Sequence, residues 1–395
     1  MVEELILRPF QVPVVDEVRE ARREHQNVLL QAPTGFGKTA CFTYMVARSY
    51  LRGDTVHVHV HLNELLEQVA ERFTRYGIPF SYIAAGYPGG DERVKLVMTS
   101  SLVRRLEEEE PPDWTIEDEC HRVESNTRQL IRAWAPHTRF LGTTATAIRL
   151  DNKPLNRSYS YMVRGPQRKE LQAVGQLVPC VLYYPPNDLD LTKCKKDKHG
   201  ELAMQDQAAA LQESKIVGNA IEHYKQICPG VQFIVFAPTL DYCAEVAAEF
   251  TAAGIPTSVI SSKLNKHERR ALFTGYKNGS IMGLVNVNLL TEGVDIPGCG
   301  CVIWLRKTES QTIWDQGNGR AMRADDGKIC CFMLDHVGNS FTHGAPDCDR
   351  FYSLDAEIKI KKKKGETVIA MTRCHVCFCC WDTPGNICPQ CGTAQ

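Results

Sequence analysis

Ala32-Pro33-Thr34-Gly35-Phe36-Gly37-Lys38-Thr39 is the stretch that decides the reading of this chain. It follows an apolar run, Asn27–Gln31, that reads as a strand, and it opens a helical pattern from Thr39 to Leu51. A glycine-rich turn between a strand and a helix is the context in which such turns bind phosphate. Gly35 and Gly37 let backbone N–H groups close on phosphate oxygens, and the helix N-terminus adds a favourable dipole. Lys38 offers a point charge for the β- and γ-phosphates, and Thr39 a hydroxyl ligand for Mg²⁺. Pro33, Thr34 and Phe36 complete the expected ATP contacts of the loop.

Outward from the loop, short apolar runs alternate with helical patterns, as in a parallel α/β sheet. Thr55–His61, Val94–Met98, Trp114–Glu117 and Thr138–Gly142 read as strands, and Asn63–Tyr76 as a helix. The pattern resumes after about residue 215. Val231–Ala237, Thr257–Ile260, Ile281–Val287, Cys301–Leu305 and Lys328–Leu334 are the expected strands there, with helices at Leu240–Ala253 and Lys266–Asn278. Between the halves, Asp188–Glu213 is polar and lysine-rich and reads as a connector or mobile insertion. The expected division is 1–155, 156–355 and a small tail, 356–395.

Composition sets the class. With 43% hydrophobic and 24% charged residues in 395, the chain has the make-up of a globular protein. No apolar run approaches the ~18–20 residues of a membrane span, and the acidic start, Met1-Val2-Glu3-Glu4, does not resemble a signal peptide. A cytoplasmic monomer is expected. A formal net charge of −1 excludes a global basic field, so any polyanion surface is local. Five lysines within Lys359–Lys364 are the clearest local candidate. Seventeen cysteines, an odd number, argue against a disulfide framework. Cys41, Cys180, Cys243 and Cys301 sit in apolar surroundings and read as core.

Asp118-Glu119-Cys120-His121 follows the Trp114–Glu117 strand, at the strand end where open-sheet sites form. Adjacent carboxylates suit different tasks there: Asp118 facing Mg²⁺, Glu119 orienting and deprotonating water.

These residues resemble the motifs of superfamily 2 helicases, the DEAD/DEAH group, and the resemblance runs from residue 8 to about 350. Leu7-Arg8-Pro9-Phe10-Gln11 is similar to the segment whose glutamine reads adenine. His61-Leu62-Asn63-Glu64-Leu65 with Gln68 resembles a motif on the nucleic-acid side, and Thr144-Ala145-Thr146 the one that couples hydrolysis to strand movement. Thr291-Glu292-Gly293-Val294-Asp295-Ile296-Pro297 and Gln316-Gly317-Asn318-Gly319-Arg320-Ala321-Met322-Arg323 match the last two motifs. The resemblance implies two tandem RecA-like parallel-sheet domains, with Arg320 and Arg323 reaching the γ-phosphate from the second. It also implies ATP contacts at Arg8, Gln11, Gly293 and Asp295, and coupling through His121, Thr144, Thr146 and Gln316. Asn63, Thr99, Ser100 and Thr239 are nucleic-acid candidates by position. Finer similarity, in Leu284–Val287, Trp304–Ser310, Leu334–Asn339 and the cysteine tail, is to RadD-type DNA-repair ATPases and their bacteriophage-encoded relatives. Ala147, Cys120 and Glu117 depart from the common pattern without removing a catalytic group.

Cys374-x-x-Cys377, ten further residues, then Cys388-x-x-Cys391 have the spacing of two zinc knuckles. Four thiolates close a tetrahedral structural Zn²⁺ site with no other ligand. Cys377 and Cys380 offer an alternative first knuckle. Beside the lysine run such a ribbon suits DNA, whereas Trp381 reads as packing under the metal. His57, His59 and His61 share one strand face and read as structural, and Cys330-Cys331 as core. The whole points to an ATP- and Mg²⁺-dependent DNA helicase or translocase on single-stranded or branched DNA in repair, recombination or replication. An RNA-dependent ATPase and an ATP-switched DNA-binding scaffold are the rivals.

Overall fold

The structure, a computed structural model, describes residues 5–122, 125–148, 155–186, 188–197, 200–214, 216–291, 296, 298–355, 371–382 and 385–395. The chain forms two compact units, one from Met1–Gln167 with Arg350–Ile360, the other from Arg168–Asp349 with Lys361–Gln395. Among the described residues no helix is long and apolar enough to cross a membrane.

The first unit is built on seven parallel strands: β1 (Asn27–Gln31), β2 (Val56–Val60), β3 (Ser81–Ile83), β4 (Val94–Met98), β5 (Trp114–Asp118), β6 (Arg139–Thr144) and β7 (Tyr161–Arg164). Their order is β3-β4-β2-β5-β6-β1-β7. β2 and β5 are buried at every position, as central strands of a sheet covered on both faces are. Helices α1 (Val12–Glu24), α2 (Lys38–Arg52) and α3 (Asn63–Arg75) flank the sheet with buried apolar stripes.

The departure at Glu117 has a structural reason. Its carboxylate accepts from Arg132 at 2.9 Å and from the Tyr159 hydroxyl at 2.5 Å. Burial opposes its charge, but Arg132, then Arg128 and the Tyr159 bond, hold its pKa down at about 2. Tyr159 reaches it by crossing Gly142, the β6 partner of Glu117, where a Cβ would stand 2.4 Å from the tyrosine ring. Arg128 donates to the Cys120 carbonyl and to Ser158 Oγ, so this buried network also holds the turn after β5.

The second unit repeats the scheme. β8 (Cys180–Tyr183), β9 (Phe233–Phe236), β10 (Thr257–Val259), β11 (Gly283–Asn286), β12 (Cys301–Trp304) and β13 (Cys331–Asp335) are parallel, ordered β10-β11-β9-β12-β13-β8. β14 (Thr372–Arg373) and β15 (Cys379–Trp381) then extend the sheet antiparallel from β8.

Three features differ from the expectations. β7 lies beyond residue 155 yet pairs with β1, and Tyr352 is buried against Leu29, Leu155 and Tyr159 in the first unit. The cysteine tail continues the second sheet. The Asp188–Glu213 stretch is no bare connector: Met204–Glu213 is a helix, with Gln207 and Leu211 buried.

Candidate functional site

In the first unit the loop Ala32–Gly37 joins β1 to α2, with Gly37 at φ 93°, a left-handed conformation suited to glycine. A side chain there would also strike Gln11, whose Nε2 stands 2.6 Å from a Cβ built at Gly37. Gln11 is the reason for this tightness. It donates to the Phe36 carbonyl at 2.9 Å and accepts from the Arg8 N–H at 2.9 Å, tying the Arg8–Gln11 turn to the loop. Each half of its amide keeps capacity for one more partner. Phe36 is buried against Phe10, with ring centroids 5.8 Å apart. Lys38 Nζ donates to the Ala32 carbonyl at 3.0 Å. Thr34, Gly35 and Thr39 are half-buried around it, while Pro33 is buried.

Asp118 ends β5. Thr143 Oγ1 at 2.6 Å and the Glu119 N–H at 3.1 Å both donate to its Oδ1. Oδ2 accepts nothing among the described residues, which fits a carboxylate that would ligate a cation beside Thr39. Burial, then the Glu119 charge, pushes the Asp118 pKa up to about 6 against the pull of Thr143 and Lys38. Glu119 has φ 46°, an unusual conformation for a non-glycine residue and a mark of a constrained turn.

His121 Nδ1 lies 2.8 Å from Thr144 Oγ1 and 3.3 Å from Glu119 Oε2. Thr144 donates its hydroxyl proton to the Thr146 carbonyl at 2.9 Å. It must therefore accept from His121, which puts the imidazole proton on Nδ1. Glu119 and Thr144 thus meet the same edge of the His121 imidazole, and the Thr144–Thr146 turn continues from it. The Ala32 N–H donates to the Thr144 carbonyl at 3.1 Å, linking that turn to the start of the phosphate loop.

Some of these partners were missed by sequence reasoning. Thr143 immediately precedes a motif and could have been suspected from that adjacency. Arg128 and Tyr159 carry no local signal.

Among the nucleic-acid candidates, Asn63 is exposed at the start of α3 and Ser100 is exposed. Thr99 is buried, its hydroxyl donating to the Val60 carbonyl at 3.1 Å, so that hydroxyl serves the fold. Thr239 Oγ1 caps the helix Leu240–Ala252 by accepting from the Tyr242 N–H.

In the second unit, helix Gln311–Ala321 carries Gln316 and Arg320, both buried, and Arg323 follows it. Arg320 donates to the Thr291 carbonyl at 2.5 Å. Burial lowers the pKa of Arg323. Gly293, Asp295 and the lysine run Lys359–Lys364 lie outside the described residues.

Sγ atoms of Cys374, Cys377, Cys388 and Cys391 all lie within 4.8 Å of one another. Cys374 Sγ accepts from the N–H groups of Val376 and Cys377, each at 3.4 Å, and from Gln395 Nε2 at 3.3 Å. Such donors favour a thiolate, and four thiolates form a soft tetrahedral donor set that fits zinc. Cys380 is buried apart from them, its Sγ against the Phe378 carbonyl, and His375 bonds Gln395. Trp381 is buried in β15.

Two family models match: "Type III restriction enzyme, res subunit" over residues 4–149 and "Helicase conserved C-terminal domain" over 219–325. The chain belongs to the superfamily 2 helicases. With them it belongs to the ATP-hydrolysing enzymes. A 51.5 kDa protein of a Lactococcus phage is 29% identical to this helicase over 92% of the chain and 77% of its own length. The proposed ATP-dependent helicase IRC3 of Saccharomyces cerevisiae is 23% identical over 85% of the chain, which spans only 52% of the yeast protein. Two solved structures share the fold. A fragment of a proposed HsdR subunit of a type I restriction enzyme from Vibrio vulnificus has TM-score 0.68 at 18% identity, covering 87% of the helicase and 66% of the fragment. The ATP-dependent type ISP restriction-modification enzyme LlaBIII, bound to DNA, has TM-score 0.61 at 16% identity, covering 84% and 28%.

Proposed function

We propose that this helicase is a DNA translocase or unwinding motor that acts on single-stranded or branched DNA in repair, recombination or replication. The observation that carries the reading is the chain Glu119–His121–Thr144–Thr146, which joins the would-be catalytic carboxylate to the turn held against the phosphate loop. Chemistry and movement then meet at one buried imidazole.

In this reading Gln11 takes the adenine with its remaining donor and acceptor, and Arg8 stands beside it. Pro33 to Thr39 wrap the phosphates with backbone N–H groups, and Lys38 exchanges the Ala32 carbonyl for phosphate oxygens. Thr39 and Asp118 would hold Mg²⁺, which when bound neutralises charge on the phosphates. Glu119 orients a water and takes its proton, and His121 and Thr144 pass the change in that carboxylate to Thr146. Arg320 and Arg323 offset the negative charge that develops on the γ-phosphate in the transition state, and Gln316, Gly293 and Asp295 belong to the last two motifs. Asn63, Ser100 and Thr239 meet the sugar–phosphate backbone. A structural Zn²⁺ on Cys374, Cys377, Cys388 and Cys391 holds the ribbon. The DNA-bound state of the type ISP neighbour supports DNA over RNA as the track.

Strand displacement on forked DNA, with duplex DNA and forked RNA in parallel, tests this. ATP-dependent displacement or directional movement on DNA is expected. Activity confined to RNA overturns the DNA reading. DNA-stimulated hydrolysis without displacement or movement would instead indicate an ATP-switched scaffold.

A further inference from the structure

The loop after β12, residues 306–310, is held almost entirely by side chains from elsewhere in the second unit. Gln207 is fully buried and reads one residue on both sides: its Oε1 accepts from the Lys307 N–H at 2.9 Å, and its Nε2 donates to the Lys307 carbonyl at 3.1 Å. Glu201 Oε1 accepts from Thr308 Oγ1 at 3.1 Å and from the Glu309 N–H at 3.0 Å. Asn339 brackets the same stretch, accepting from the Thr308 N–H and donating to the Arg306 carbonyl, each at 2.9 Å. His343 Nε2 meets the Thr308 carbonyl at 2.8 Å.

Two things depend on the loop. At its start, buried Arg306 donates to the Val287 carbonyl and to Asn288 Oδ1, gripping the turn that leads to Thr291. Burial lowers the Arg306 pKa and the Glu201 charge opposes that, so Glu201 also compensates the buried guanidinium. At its end, Ser310 accepts from the Ile313 N–H and caps the helix that carries Gln316 and Arg320. Arg320 then closes the ring on the Thr291 carbonyl.

We infer that Glu201 and Gln207, in the segment between the two α/β repeats, are positioning residues for ATP hydrolysis, acting through the 306–310 loop on Arg306 and on the Gln316–Arg320 helix. This rests on the assignment of Gln316 and Arg320 to ATP hydrolysis. Only a side chain with one donor and one acceptor at this reach serves both faces of Lys307, which is a requirement of geometry and not of filling space. A peptide fixed on both faces leaves the helix start one orientation, and misplacements of about 1 Å cost catalysis about 10²-fold.

Gln207→Ala and Glu201→Ala in the full chain, beside Arg320→Ala, test the inference. ATP turnover is measured below each variant's melting temperature, with hydrogen exchange at the Lys307 and Glu309 amides. Both variants should lose about tenfold or more in kcat, with the KM for ATP changed by less than about twofold. Exchange should quicken at Lys307 in the first variant and at Glu309 in the second. Gln207→Glu keeps the acceptor but turns an oxygen onto the Lys307 carbonyl, so it should fall as far as Gln207→Ala. Should Gln207→Ala fail to fold, Glu201→Ala decides alone. Wild-type kcat in the folded Gln207 and Glu201 variants, with Arg320→Ala inactive, overturns the inference and leaves the ATP-site assignment standing. Wild-type turnover in Arg320→Ala overturns that assignment, and the inference with it.

Discussion

At the scale of single residues, the first unit keeps charge in its interior by pairing it. Glu117 stays ionised because Arg132, then Arg128 and the Tyr159 hydroxyl, compensate its charge, so removing Arg132 takes away the largest part of that compensation. Arg132→Ala should destabilise the unit by about 3–5 kcal/mol, read from urea unfolding. A loss below about 1 kcal/mol would mean that Arg128 alone carries the compensation. The buried histidines set a pH dependence. Burial holds His59 neutral down to about 4, against the upward pull of Glu117, and His336 down to about 3. Both would titrate near 6.5 once unfolded, so between about 6.5 and 4 these two imidazoles bind more protons in the unfolded chain than in the native one. The two histidines' contribution to stability therefore rises with pH across that window, and it outweighs the opposite contribution of the raised Asp118 carboxyl. Urea midpoints should fall as pH drops from 7 to 4.5, and His59→Gln should flatten part of that slope. A flat profile would show that these imidazoles take up protons in the native state. Glu117 is legible in the sequence only as an oddity. Its partners, Arg132 and Tyr159, come from outside its own strand, and no local pattern announces them.

At the scale of elements, the sequence was most readable where hydrophobic period and motif coincide. β1, the phosphate loop and α2 follow from the residues around Lys38, and β5 from the run ahead of Asp118. β3, β7 and β8 are short, and β7 lies past the point where the first half was expected to end. The helix Met204–Glu213 escaped because its segment is polar overall. Gln207 is buried there to bond a backbone, which a hydrophobicity pattern cannot register. The clustering of Cys374, Cys377, Cys388 and Cys391 was legible in their spacing, and the tail's place in a sheet was not. Its strand β15 pairs with β8, and the Tyr184 N–H donates to the Phe378 carbonyl at 3.0 Å. Metal removal should therefore be felt in the second sheet. Chelation, or Cys388→Ser, should lower the melting temperature by about 5 °C and speed exchange of the Tyr184 amide. Unchanged exchange at Tyr184 would mean that β15 stays paired without metal.

At the scale of the whole molecule, two α/β units match two different family models in one chain. Lys38, Asp118 and Glu119 stand on the first unit, and Gln316, Arg320 and Arg323 on the second. The family was legible because phosphate chemistry demands residues in fixed local order, and local order survives in sequence. The track was less so, since contacts to a sugar–phosphate backbone need only scattered polar groups, which leave no fixed pattern in a sequence. Steady-state ATP turnover with single-stranded DNA, with RNA and with neither, for the natural chain and Glu119→Gln, tests the central claim most directly. The account predicts that DNA stimulates the natural chain about tenfold or more, and that Glu119→Gln loses at least about 10²-fold in kcat while still binding ATP. Stimulation by RNA alone, or turnover that survives Glu119→Gln, would contradict it.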